Sequence, residues 1–224
     1  MTDQIKADFE NMVKTSDFSE SDTKLKKEFL NKFIVSGFPN RKLENWKFSD
    51  MSQIIKNNIG DLSYYNDYSS SNKIDTSIFI DRLEHNKIVF LNGRLEKIDF
   101  GYEEMDKIEI DENAKLDDKF ESDNSLIYLN KAFTNKSYKI IIKKNYSLKK
   151  PLIIYHTTNK TIKSKNINLR LEFELEQNSS LKLVDFFSDI SENNFMNIFF
   201  NFDLKKNAIL KNYKIDKIKN KNIK

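Results

Sequence analysis

The chain has 224 residues, 38% of them hydrophobic, with 38 Lys and Arg against 34 Asp and Glu. That supplies a sizeable core for one or two domains, and interspersed charge of both signs argues against a dedicated nucleic-acid surface despite a pI near 8.9. There is no Cys, which excludes disulfides, thiolate catalysis and thiolate ligands for zinc or iron–sulfur centres.

Residues 1–9 carry neither an apolar stretch nor a cleavage signal, and no later run is long and apolar enough to span a bilayer. The expectation is a cytoplasmic protein without membrane or nucleic-acid partners. A weak amphipathic helix begins near Asp3, with Ile5, Phe9 and Val13 at i,i+4 spacing. A clearer one spans 22–36. Leu25, Phe29, Leu30, Phe33 and Ile34 form its apolar face, Lys24, Lys26, Lys27, Glu28 and Lys32 face water, and Gly37 ends it.

Gly37-Phe38-Pro39 turns the chain, because Gly accepts positive φ and Pro cannot continue a helix. The next residues place Arg41, Glu44, Trp46 and Lys47 on one short turn. The plain reading is a structural anchor, with Trp46 buried and Arg41 paired to Glu44 at i,i+3; the other is a partner or ligand contact. Asp50 caps a third helix in which Met51, Ile54 and Ile55 pack inward.

From Gly60 to Asn72 the sequence is polar and aperiodic, a surface loop in which Tyr64, Tyr65 and Tyr68 serve as anchors. Beyond residue 80 the period changes from 3.6 to 2. Strands are expected over 88–91, 107–110, 126–129, 138–142, 152–155, 167–175, 181–187, 197–204 and 208–215. The clearest alternates Leu169, Leu171, Phe173 and Leu175 with Arg170, Glu172, Glu174 and Glu176.

Centres placed near Ile141, Ile154, Leu171, Leu183, Phe200 and Asn212 put every second strand about 29 residues apart, as in a solenoid whose coil holds two strands. Four Gly and two Pro cannot supply the tight hairpins of a sandwich. The fold class is therefore α+β, mainly β, with a helical region and linker loop over 1–80 and a solenoid over 81–224. Its last strand is followed only by a charged tail, so the coil is incomplete and its edge open.

Little in the sequence suggests catalysis. His85 and His156 are the only imidazoles, and no repeated acidic or imidazole spacing near either makes a metal cluster, so no metal ligand and no catalytic residue is assigned. There is no Gly-rich phosphate loop and no nucleophile elbow. Glu172, Glu174 and Glu176 share a strand face, as acid/base work on a glycoside would need, but they are more simply the solvent side of an alternating strand.

The run Pro39-Asn40-Arg41-Lys42-Leu43-Glu44-Asn45-Trp46-Lys47-Phe48-Ser49-Asp50 resembles a segment of the SufD branch of the SufB/SufD family of iron–sulfur cluster assembly proteins, with Phe48 and Ser49 where Tyr and Thr are common. Residues 88–95, 129–133 with 150–154, and 207–215 resemble the same family in the same order. The likeness covers nearly the whole chain, yet the family is about twice as long, so it implies an N-terminal half. It further implies a right-handed β-helix after a helical region, and a non-enzymatic scaffold subunit acting with SufB-like and SufC-like partners. The main partner contacts would lie in the later half. The iron–sulfur cluster and flavin would belong to the assembled complex, and no cofactor residue can be carried over to this chain. A β-helix carbohydrate-binding or carbohydrate-active protein is the alternative, and a Lys-rich nucleic-acid binder ranks third.

Overall fold

The computed structural model describes residues 2–64, 74–115, 122, 124–188, 190, 191 and 193–217. It is an α+β protein, mainly strands, built on two mixed sheets.

Helix α1 (Thr2–Thr15) buries Ile5, Phe9 and Met12, with Val13 half-buried beside them. Helix α2 (Glu20–Ser36) starts two residues earlier than the apolar pattern suggests, because Ser19 caps it by accepting from the Asp22 amide at 3.1 Å. It ends at Gly37, whose φ of 68° turns the chain while its N–H donates to Phe33 O. Lys26 does not face water: it is buried with Phe29, Leu30 and Phe33. Helix α3 (Met51–Asn58) is capped as expected, Asp50 accepting from the Gln53 amide at 3.0 Å.

The Gly60–Asn72 segment is not wholly a surface loop. Ser63 and Tyr64 form strand β1 (Ser63–Tyr64), which pairs with a later strand, and the Tyr64 ring stacks 3.9 Å from Phe133. Tyr65 and Tyr68 lie outside the described residues.

A hairpin follows, β2 (Asn86–Leu91) and β3 (Arg94–Asp99), then β4 (Ile108–Asp111). Strand β3 is absent from the sequence expectation. The Asn92-Gly93 turn that makes it has φ of 53° and 78°, the two positive values a two-residue hairpin with the right twist requires. Only Gly fits second, since a Cβ there would stand 2.7 Å from Ile167 Cγ2.

The expected strand over 126–129 is instead part of helix α4 (Ser125–Phe133). Asn124 caps it by accepting from the Leu126 amide, and Leu129, Ala132 and Phe133 bury one helical face. That local cap and 3.6-residue spacing override the β-propensity of Leu-Ile-Tyr-Leu. The helix packs on α2 through a stacked Phe29–Tyr128 pair at 6.3 Å.

The remaining strands are β5 (Ser137–Ile142), β6 (Leu152–Thr157), β7 (Lys165–Leu175), β8 (Ser180–Ser188), β9 (Phe195–Leu204) and β10 (Ile209–Lys217). They alternate between the sheets. In the first, β5 and β1 share one edge of β7 and β9 takes the other, with β4 antiparallel outside β5. In the second, β10, β8, β6 and β2 run parallel, with β3 antiparallel outside β2. Asn166 pairs with Phe195 and Ser180 with Ile209, an offset of 29 in both cases (195 − 166 and 209 − 180). Earlier partners stand further apart, Ser137 with Arg170 by 33 residues (170 − 137) and Leu152 with Leu183 by 31 (183 − 152).

Asparagines turn the corners in place of Gly. Asn145, Asn178 and Asn207 all sit near φ 60°, a conformation Asn tolerates better than most residues. Their amides form a ladder: Asn178 Nδ2 donates to Asn145 Oδ1 at 2.8 Å, and Asn207 Nδ2 to Asn178 Oδ1 at 3.0 Å. At the opposite corner Ser164 and Asn193 adopt the same conformation.

Between the sheets lies an apolar core of Ile88, Phe90, Ile140, Ile154, Leu171, Phe173 and Leu183, among others. A second core joins α1, α2, α3 and β1 to α4 and to Phe195 of β9, so the helices dock against the first sheet.

Candidate functional site

Among the described residues, β9 ends the first sheet and β10 the second, each with one edge free of a partner strand. The end they form is apolar: Ile198, Phe200, Phe202 and Leu210 are only half-buried, and Leu204, Ile209, Tyr213 and Ile215 are exposed. A cavity of about 440 Å³ wraps around β9 here, with Trp46 and Leu126 on one side and Phe187, Phe200, Asn212 and Lys214 on the other.

The interior near this end is unexpectedly polar. On β6 and β8 the inward positions run Leu152, Ile154, His156 and Leu181, Leu183, Asp185, Phe187, so each strand carries one polar side chain inward near its C-terminal end. His156 is fully buried, its ring stacked 4.6 Å from Phe187 and 5.9 Å from Phe90 in the adjoining strands. Its Nε2 donates to Asp185 Oδ1 at 2.6 Å, while Nδ1 is buried without a partner. One strand on, Lys214 pairs in register with Asp185 and holds its Nζ 4.8 Å above the Phe187 ring. A carboxylate in this position needs its hydrogen bond, because burying it alone would cost several kcal/mol or more.

Of Arg41, Glu44, Trp46 and Lys47, Trp46 alone reaches this end. It is half-buried rather than buried, packing on the helical core and lining the cavity beside Met51. Arg41, Glu44 and Lys47 are exposed, and the expected Arg41–Glu44 pair is replaced by Glu44–Lys47 at 3.8 Å. Such an exposed pair contributes at most about 0.5 kcal/mol.

His85 lies away from the edge, on the outward face of the second sheet. Its Nε2 accepts from Tyr155 Oη at 2.7 Å and its Nδ1 donates to Leu83 O. Burial lowers its pKa below the ordinary imidazole value, the Leu83 bond opposing that in part. The glutamate row is engaged: Glu172 with Arg170 of the same strand at 2.9 Å, Glu174 with Lys139 of β5 at 2.7 Å and Glu176 with the Lys144 amide at 2.8 Å. No group of three potential metal ligands occurs among the described residues. No helix among them is long and apolar enough to cross a membrane.

Asp185 carried a legible signal, since it interrupts an alternating apolar face. Lys26, Lys131 and Arg170, all fully buried, did not. The Lys26 ammonium donates to Thr134 O and lies 4.7 Å over the Phe18 ring, and the Arg170 guanidinium covers Phe199 at 4.4 Å. Thr134 and Phe199 are remote in sequence from Lys26 and Arg170, so these charges read as solvated. Compared with protein-family models and with curated proteins, the chain matches none.

Proposed function

We propose that this chain is a SufD-like, non-enzymatic subunit of a cytoplasmic scaffold for iron–sulfur cluster assembly, acting with SufB-like and SufC-like partners. In this reading the two sheets are the faces of a right-handed β-helix, and β9 and β10 are the edges on which further strands pair. One observation carries it: the constant 29-residue offset of β7 with β9 and β8 with β10, ending on edges that have no strand beyond them among the described residues. A repeating coil buries each face against the next, so such an end is completed by pairing. The order of the family-like segments supplies the identity of the partners. Trp46, at the β9 edge, takes the role of a contact residue as well as an anchor. The cluster and any flavin belong to the assembled complex. The alternative, a carbohydrate-active site on Glu172, Glu174 and Glu176, is disfavoured by their engagement with Arg170, Lys139 and the Lys144 amide.

Co-expression with SufB-like and SufC-like proteins tests the reading. Residues 1–224 alone should not bind the SufC-like ATPase, whose docking site belongs to the later half of the family, whereas the chain continued by that half should retain both partners. Tight binding of the ATPase to residues 1–224 alone would overturn it.

A further inference from the structure

The outward face of the second sheet is an apolar surface that the chain covers only in part. Leu181 and Leu183 point into the core, so Lys182, Val184 and Phe186 of β8 point outward. Strand register extends that face. Val89 lies beside Tyr155, Tyr155 beside Phe186 and Phe186 beside Ile215; in the next row Ile153 lies beside Val184 and Val184 beside Tyr213.

Over β2, β6 and β8 this surface is covered by the chain's own strap, residues 74–80. Ile78 is buried on it, the Phe79 ring meets the Tyr155 ring edge-on at 5.0 Å, and the Ile80 amide donates to Tyr155 Oη at 3.1 Å. Over β10 the same two rows continue bare, with Tyr213 55% and Ile215 44% exposed.

The strap shows what this face accepts: an apolar Ile78-Phe79-Ile80 segment with Asp75 and Asp81 on its flanks. The uncovered part is charged to match. Lys182 and Lys211, paired in register, stand at one end of the Val184–Tyr213 and Phe186–Ile215 steps, and Lys217 stands at the other. All three are exposed.

We propose that the β10 end of this face docks a short apolar segment with acidic flanks from a partner protein, laid beside the chain's own strap. The site is a sheet face and not a strand edge, so it stands whether or not β9 and β10 pair with another subunit. Apolar side chains give the affinity, and the lysines at the two ends hold the acidic flanks of the segment.

The probe is a fluorescein-labelled peptide with the sequence of residues 74–81, titrated by anisotropy into the full chain. Saturable binding that weakens with salt is expected. It should fall about tenfold in the Tyr213→Asp/Ile215→Asp variant, the loss typical of an interface anchor. It should also weaken in Lys211→Glu/Lys217→Glu, which leaves the apolar rows intact. Absence of saturable binding would overturn the proposal, as would equal binding by these variants, which would mean that the peptide displaces the strap. So would a dimer of the free chain in sedimentation that the Ile215→Asp variant abolishes, since the occupant would then be a second copy.

Discussion

Lys26 gives the sharpest quantitative test of the helical core. Desolvation lowers its pKa from the ordinary 10.5 to about 8, with the Asp22 carboxylate opposing in part. Between those values the unfolded chain binds the proton and the folded chain does not, so stability rises with pH across that window and is lowest below pH 8. The gap corresponds to about 3 kcal/mol. Lys26→Met keeps most of the packing against Phe29 and Phe33 and removes the buried charge, at the cost of the bond to Thr134 O, worth about 1 kcal/mol. At pH 7 the variant should therefore be about 1–2 kcal/mol more stable than the parent. By pH 10 the order should reverse, because the parent has recovered most of its penalty. Urea unfolding of both proteins at pH 7 and pH 10 measures this, and the difference between them cancels every other titrating group. A difference that stays constant with pH would refute the reasoning, since Lys26 would then be solvated.

Other expectations follow from the corners, the strap and the edge. Asn178→Ala should cost about 2 kcal/mol, combining a left-handed backbone that Ala resists with the loss of two amide contacts, whereas Asn178→Gly should cost less; thermal melts of the pair separate the two effects. Because folding favours neutral His85, protection of the Ile80 amide should decline as pH falls through the ordinary imidazole value, and His85→Gln should flatten that dependence in hydrogen-exchange measurements. Trp46→Ala should destabilise by about 1–2 kcal/mol, roughly half the cost of deleting a fully buried Trp, and should weaken retention of the SufB-like subunit; unchanged retention would leave Trp46 an anchor only.

Most strands are legible in the sequence because one face of each is buried between the two sheets, which fixes a period of 2 in sequences such as Leu169 to Glu176. The expected 29-residue offset holds for β7 with β9 and β8 with β10, while the two earlier pairs stand further apart. The sequence misled where a short apolar run fits either structure: Leu126–Leu129 becomes helical through Asn124 and through its contacts with α2, and only the first of these is local. Few Gly argue against many hairpins, yet Asn145, Asn178 and Asn207 supply the left-handed conformation at the corners, and Asn92-Gly93 makes a hairpin turn that the strand pattern does not predict. At the edge, Trp46 was singled out but its position was not. That position depends on contacts with Met51 and Leu126 and on the proximity of β9, which no local pattern encodes.

The central claim is that β9 and β10 are pairing edges, and hydrogen exchange on residues 1–224 alone and joined to the later half of a SufD-like chain tests it most directly. The account predicts that backbone amides within 195–217 become strongly protected in the longer chain while those of β5 and β6 change little. A folded longer chain with no added protection along β9 or β10 would contradict it.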